Sequence, residues 1–273
     1  MDVTSVVLAA GRGTRMVGYG GCKALLPLLP SERSIYEGEH PFILEILEQL
    51  PPGPKAVVIH HDGEKLRATL NRYLPPDSMP VLVWQPDLNG TGGAVLAATP
   101  FLQSIKSQLC LITMADVPLI SRRTYENLVS KVLESPGMAG AVLTFRPYDR
   151  AQYGCLITRG EKVIEIVEWK YWKDFDEEKR HALELCNAGV YVFRRDLLLK
   201  YLTELAQKPH VVQKTIDGKL VNFEEFFLPD LIAIMARNGL DITFLEADEN
   251  EVLGVDTPQQ LEKAQEIYLK RMK

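Results

Sequence analysis

Short β-branched apolar runs alternate with amphipathic stretches through the first half of the chain, and this alternation restricts the fold more than any other feature. "TSVVLAA" (4–10), "KAVVIHH" (55–61), "PVLVWQ" (80–85), "QLCLITM" (108–114) and "GAVLTF" (140–145) are each bounded by Gly, Pro or polar residues. Runs of this length read as strands buried on both faces of a parallel sheet. Between them, "PFILEILEQL" (41–50) and "GEKLRATLNRYL" (63–74) carry apolar residues at helical spacing. Strand and helix in alternation predict a doubly wound, mostly parallel α/β sheet of Rossmann-like type, whose ligands bind outside the carboxyl ends of the strands. The stretch from 146 to about 230 is less regular and includes the charged, aromatic "VEWKYWKDFDEEKR", which reads as an insertion over the sheet that covers substrate. "CNAGVYVF" (186–193) and "DITFLEA" (241–247) are further strand candidates. In the terminal helix Thr257 is the expected N-cap, Pro258 the first helical residue and Gln260 the second half of a capping box.

A chain of 273 residues with 46% hydrophobic composition can bury a substantial core. Its net charge of -5 argues against a nucleic-acid or anionic-membrane surface, while a local basic pocket for a small phosphorylated ligand remains compatible. The four cysteines, Cys22, Cys110, Cys155 and Cys186, form no C-x-x-C pair and are expected to be reduced thiols. No apolar run approaches the roughly 18 residues of a membrane span, and the N-terminus lacks a basic leader, so a cytoplasmic location is expected.

"LAAGRGTRM" (8–16) is a glycine-rich loop placed directly after the first strand candidate. The dinucleotide-binding fingerprint needs a third glycine where Met16 stands, and a Walker loop needs Gly-Lys where Met16-Val17 stand. What remains is a different phosphate loop, in which Gly11 and Gly13 let the backbone bend around a triphosphate while Arg12, Arg15 and Lys23 supply positive charge. A plain strand-to-helix turn with solvated arginines is the alternative for so short a motif.

Two carboxylates stand at positions where such a fold concentrates chemistry. Asp116 follows the strand "LCLITM", and Asp256 follows "VLGV" just before the last helix. Hard oxygen ligands from two such segments suit one Mg²⁺, completed by substrate phosphates and water. Each aspartate also reads as an ordinary turn residue when taken alone. Gln85 ends a strand just before "NGTGG", and its flat amide can pair with a base edge; Gly90 and Thr91 add backbone contacts. None of the five histidines stands in a metal or triad motif, and none is assigned a catalytic role.

"VVLAAGRGTRM" with Lys23, "QPDLNGTGGAVLAA", "MADVPLI", "YGCLITRGEKVIEIVEWK", "NAGVYVF" and "LGVDTPQQL" occur in this order along the chain. The string resembles the sugar-phosphate nucleotidyltransferases, most closely their bacterial N-acetylglucosamine-1-phosphate uridyltransferase (pyrophosphorylase) domains. The resemblance implies a single domain over 1–273: a nucleotide-binding half (1–145), a sugar-binding and lid region (146–240), and a C-terminal strand, metal aspartate and helix (241–273). It carries Leu8, Ala9, Ala10 and Gly11 onto nucleoside contacts, Gln85, Gly90 and Thr91 onto base and sugar contacts, and Lys23 onto the phosphate-binding lysine. It makes Arg15 the transition-state residue, Gly154, Glu168 and Asn187 the amino-sugar phosphate contacts, and Asp116 and Asp256 the Mg²⁺ ligands, the second being commonly asparagine in the family. Two departures stand out: Cys22 replaces the usual proline before the lysine, and Met114-Ala115 replaces Tyr-Gly before the metal aspartate.

The implied reaction is transfer of UMP from UTP to a sugar 1-phosphate, with pyrophosphate released. The nucleophile is already an anion, so positioning and charge neutralisation suffice and no triad is needed. Another donor (CTP or dTTP) with another sugar or alcohol phosphate is the alternative within the class, and a noncatalytic nucleotide-sugar sensor the alternative outside it. No hexapeptide repeat follows Asp256, so acetyl transfer is not expected.

Overall fold

The computed structural model describes residues 3–11, 13, 16–150, 152–216 and 219–272. In chain order the elements are β1 (Val3–Leu8), β2 (Pro27–Pro30), β3 (Gly38–Pro41), α1 (Phe42–Gln49), β4 (Lys55–Ile59), α2 (Gly63–Tyr73), β5 (Val81–Trp84), α3 (Gly90–Ala97), α4 (Thr99–Ser104) and β6 (Leu109–Met114). There follow α5 (Arg122–Leu133), β7 (Met138–Phe145), β8 (Cys155–Arg159), β9 (Lys162–Val167), α6 (Trp169–Trp172), α7 (Glu177–His181), β10 (Cys186–Arg194) and α8 (Arg195–Leu205). The last are β11 (His210–Ile216), β12 (Lys219–Glu225), α9 (Asp230–Arg237), β13 (Asp241–Glu246) and α10 (Pro258–Arg271).

The central sheet runs β13-β7-β10-β6-β1-β4-β5, parallel except for β10, which is antiparallel to both neighbours. Its inner strands are apolar on both sides because both faces are covered, whereas the edge strand β5, expected from its apolar run to be buried on both faces, leaves Val81 and Trp84 exposed because nothing pairs with its outer side. Along β1, Val3 and Val7 pack with Leu44 of α1, Leu66 of α2 and Leu128 of α5, whereas Val6 and Leu8 pack with Val95 of α3, Leu202 of α8 and Leu231 of α9. From β1 the chain builds outward to β4 and β5 on one side and returns to place β6 on the other. The strand order therefore reverses between β1 and β6, which opens a crevice at their carboxyl ends. The Ala115 amide, donating to the Leu8 carbonyl at 3.0 Å, closes the floor of that crevice.

The region 146–240 divides in two. Strand β10 and helix α8 belong to the central layers, because "VYVF" buries Val190 and Val192 on one face and Tyr191 and Phe193 on the other. Outside the main path lie the β8–β9 hairpin, joined to β10 at Cys155–Cys186, the short helices α6 and α7, and the separate β11–β12 hairpin. Since β10 runs against its neighbours, its start at Asn187 falls at the same edge as the ends of β1 and β6.

The end of the chain is anchored as its sequence predicts. Thr257 Oγ1 accepts from the Gln260 amide at 3.3 Å while Gln260 Oε1 accepts from the Thr257 amide at 3.0 Å, which closes the capping box. Leu261 and Ala264 of α10 pack on Leu26, Leu28, Phe42 and Val255. The buried Gln265 amide donates to the Pro27 and Ile35 carbonyls, both at 2.8 Å. Helix α10 thereby pins the segment that follows Lys23, and the Val255 amide, donating to the Asp116 carbonyl at 2.8 Å, brings position 256 beside position 116.

Candidate active site

The glycine loop turns at Gly13, whose φ of +59° lies in the left-handed region. A Cβ there would come within 2.8 Å of Lys23 Cγ, so the missing side chain is the space through which Lys23 reaches the crevice. A Cβ on Gly11 would meet nothing within 4 Å, which leaves that backbone open to a ligand. The residue before Lys23 is fixed from two sides. The buried Cys22 thiol points at the Ala9 carbonyl (3.7 Å), and the Tyr19 hydroxyl donates to the Cys22 carbonyl (3.1 Å).

The Lys23 ammonium donates to Asp116 Oδ2 at 2.8 Å, Asp256 Oδ1 at 2.6 Å and the Val255 carbonyl at 3.1 Å. Burial alone would lower the lysine pKa, but the Asp116 and Asp256 carboxylates outweigh it and hold the pKa above its usual value. Lys23 is therefore a permanent cation. With Leu8, Ala9, Gly11, Gly13 and Ala115, these three side chains line a cavity of about 230 Å³. Arg12 and Arg15, the other two expected cations, lie outside the described residues.

A second cavity adjoins the first and is bounded by Leu8, Ala10, Gly11, Gln85, Gly90 and Thr91. Gln85 is 2% exposed, and its Nε2 donates to Asn89 Oδ1 (2.9 Å) and to the Gly90 carbonyl (3.3 Å). A carbonyl can only accept, so it fixes the orientation of the amide. Gln85 Oε1, without a hydrogen-bond partner among the described residues, is then an acceptor. His60 Nδ1 lies 2.7 Å from the Gln85 carbonyl, which makes that nitrogen the donor and holds the strand end in place. Gly90 has φ +93°, and a Cβ on it would lie 2.4 Å from the Phe226 carbonyl oxygen. That oxygen accepts from the Gly92 amide (2.7 Å), the Phe226 amide donates to the Asn89 carbonyl (2.8 Å), and the Leu228 amide donates to Thr91 Oγ1 (3.0 Å). The second glycine loop is thus clamped to the chain leaving the β11–β12 hairpin.

A third cavity, about 480 Å³, is lined by Glu168, Asn187 and Gly189, with Trp169, Lys170 and Phe227 among its other walls. The Asn187 side chain donates to the Tyr191 hydroxyl (2.7 Å) and accepts from the Gly189 amide (3.0 Å), across a bulge in the pairing of β10 with β7. Gly154 packs behind: its carbonyl accepts from the Asn187 amide at 2.8 Å, and a Cβ on it would touch Glu168 Oε1 at 3.3 Å. Burial raises the Glu168 pKa above its usual value, against the opposing Lys170 charge and with help from Asp230.

Every expected site residue within the described part of the chain therefore lies on or against one continuous cleft. Met114 borders all three cavities, and Thr91 borders the second and third. The sequence offered no sign of that role for Met114, which stands out there only as a departure from the family; the missing Cβ of Gly189, 2.9 Å from Met114 Cγ, makes the room for it. Lys170 and Phe227 also went unread, because their meeting, ammonium 4.6 Å from the ring centre, depends on how the β11–β12 hairpin docks. Trp172 is buried with its indole N–H donating to the Tyr153 carbonyl at 2.8 Å, whereas Trp169 faces the third cavity.

Residues 5–210 match the family model described as the MobA-like NTP transferase domain. The chain is 35% identical over 98% of its length to the bifunctional protein GlmU of Thermus thermophilus, covering 52% of that protein. It is 33% identical over 98% of its length to GlmU of Azorhizobium caulinodans, covering 53% of it. The chain thus spans about half the length of the curated relatives it matches. Among solved structures, CMP:2-keto-3-deoxy-manno-octonic acid synthetase complexed with CTP superposes with a TM-score of 0.64 at 16% identity, over 98% of this chain and 99% of that one. The uridine diphosphate N-acetylglucosamine pyrophosphorylase of Trypanosoma brucei superposes with a TM-score of 0.71 at 13% identity, over 96% of this chain and 64% of that one. At these identities the two structures speak for the fold: a mostly parallel sheet between helices.

Proposed function

This chain belongs to the MobA-like NTP transferase domain family, and on that premise we propose that it transfers UMP from UTP to a sugar 1-phosphate, N-acetylglucosamine 1-phosphate in the first instance, and releases pyrophosphate. The observation that carries the reading is the convergence of Lys23, Asp116 and Asp256 at the reversal point of the sheet, between a cavity edged by Gln85 and one edged by Glu168 and Asn187.

The residues divide the work. Leu8, Ala10 and Gly11 offer backbone to a nucleoside, and Gln85 Oε1 offers an acceptor to the N3–H of uracil. Lys23, and by position in the loop Arg12 and Arg15, neutralise the triphosphate. Glu168 accepts from sugar hydroxyls, and Asn187 holds the sugar from the strand start. In the transfer an oxygen of the sugar 1-phosphate forms a bond to the α-phosphorus, and the bond from that phosphorus to the β-phosphate bridging oxygen breaks. The attacking oxygen carries its charge already, so no side chain has to remove a proton.

Two hard carboxylates that already share one cation form a donor set suited to Mg²⁺, and Asp116 and Asp256 are the residues that would hold it. When bound, the ion would add positive charge beside the phosphate oxygens.

The same Gln85 acceptor can take the exocyclic amino group of cytosine, and the CTP-bound structural neighbour keeps CMP transfer as the second reading. The deciding experiment measures pyrophosphate release for UTP, CTP, dTTP, ATP and GTP against a panel of sugar and alcohol phosphates. The proposal expects UTP with N-acetylglucosamine 1-phosphate to lead. A lead by CTP replaces the donor, and silence across the whole matrix with Mg²⁺ present removes the enzyme reading in favour of a sensor.

A further inference from the structure

The Lys23 ammonium stands between the two carboxylates that the proposed function gives to a divalent ion, touching Asp116 Oδ2 at 2.8 Å and Asp256 Oδ1 at 2.6 Å. We infer that Lys23 is a built-in competitor for that position, so that a divalent ion gains the aspartates only when a triphosphate draws the lysine away, and ion and nucleotide bind as a coupled pair. The inference rests on the proposed function for the identity of the nucleotide, and on the geometry of this chain for the competition.

Three observations carry it. The two oxygens approach one nitrogen from separate chain segments, so the pair already has the spacing of a shared cation contact. Lys23 is held there by a third acceptor, the Val255 carbonyl at 3.1 Å, and its side chain is only 13% exposed, so it is seated rather than dangling. Positions 116 and 256 both carry carboxylates, and each meets the same ammonium, so an ion that takes both oxygens takes the place Lys23 holds. A divalent ion entering an otherwise unchanged site would meet an ammonium within a few ångströms, and repulsion at that range in a partly buried site is strong. When phosphate oxygens arrive, the ammonium has new anionic partners, and its move frees both carboxylates. Linkage makes the effect mutual: whatever factor the nucleotide adds to ion affinity, the ion adds to nucleotide affinity.

The test uses Mn²⁺ as probe, with the free ion counted by electron paramagnetic resonance and no turnover required. Wild-type protein alone is expected to bind Mn²⁺ weakly. Lys23→Met removes the charge, keeps the length of the side chain, and is expected to bind Mn²⁺ without nucleotide about tenfold more tightly or better, within the usual range of site coupling. Lys23→Arg keeps a cation and should stay weak. Lys23→Met combined with Asp116→Asn should lose the gain, which places it at these aspartates, and thermal unfolding of each variant shows that it is folded. Equal Mn²⁺ affinity in wild type and Lys23→Met overturns the inference, as does tight binding by the wild type alone. If either occurs while pyrophosphate release still needs a divalent ion, the functional reading stands and only the competition falls. If no variant binds Mn²⁺, with UTP or without, and release needs no ion, the metal part of that reading falls as well.

Discussion

Replacing Asp116 by alanine separates what this carboxylate does for the fold from what it does for the reaction. The change removes one of three acceptors of the Lys23 ammonium and leaves Asp256 at 2.6 Å and the Val255 carbonyl at 3.1 Å. A hydrogen bond to a charged group contributes about 1.5–3 kcal/mol. The Asp116 side chain is 28% exposed and its partner stays paired, so the loss belongs at the low end, about 1–2 kcal/mol. For a chain of this size that lowers Tm by about 2–6 °C. The backbone link from the Val255 amide to the Asp116 carbonyl survives, so the two segments stay together. The effect on transfer is of another order. On the proposed function Asp116 would hold the divalent ion, and losing the positive charge that ion would set beside the phosphates costs about 10²–10³ in kcat, as loss of one preorganised stabilising group does. Steady-state pyrophosphate release on the best substrate pair and a thermal scan on the same preparation give both numbers. Turnover within tenfold of wild type would refute the assignment of Asp116 to the proposed divalent ion, and a Tm loss far beyond this range would show that it is chiefly a structural residue.

Two further outcomes follow from the geometry. Burial raises the Glu168 pKa, so its carboxylate takes up a proton at a higher pH than an ordinary one, and kcat/KM for the sugar phosphate should fall on acidification with a limb above the usual carboxylate range; Glu168→Gln should lower the plateau and remove that limb, and an unchanged limb would assign it to another group. Gly90→Ala forces a side chain into φ +93° and against the Phe226 carbonyl at 2.4 Å, and should cost about 2–4 kcal/mol together with weaker nucleotide binding. Gly53→Ala meets the Val3 carbonyl at 2.1 Å with φ +143°, away from the cleft, so it should destabilise the fold while the nucleotide affinity of the folded fraction stays unchanged, and calorimetric titration of both variants checks the contrast.

The parallel strands were legible because burial on both faces writes itself as continuous apolar runs, and β1, β4, β6 and β7 fall where those runs do; β5 falls in such a run too, but as a half-exposed edge strand. Helix α10 was legible to its cap because Thr257, Pro258 and Gln260 act over a few neighbouring residues. The two hairpins were not. The β8–β9 turn carries its signal at Gly160 (φ +61°) in "TRGEK", but strands this short with charged positions lack a clear period, and no side chain of β11–β12 whose burial is described is fully buried. Within the cleft, Asp116 and Gln85 stand at strand ends, where the fold class says chemistry belongs, whereas Lys23 opens a 3-10 turn and Asp256 lies between β13 and α10, and the Val255–Asp116 backbone link brings the latter in. The joining role of Met114 and the walls supplied by Lys170 and Phe227 arise from docking between segments far apart in the chain, which no local pattern records.

The reversed strand β10 has a consequence for how such a chain can diversify. It meets the cleft at its beginning and carries the chain to the opposite rim, α8 brings it back, and 226–228 return to the cleft, so the walls of the third cavity come almost wholly from one later stretch. The first cavity and most of the second, to which the proposed function gives the phosphates and the base, come from an earlier stretch with Asp256 as its distant addition, and they meet the third at Thr91 and Met114. On the proposed function, exchanging 146–229 between related proteins would retune acceptor preference most, and would reach the base cavity only through Glu225 and through the Phe226 and Leu228 contacts to the second glycine loop.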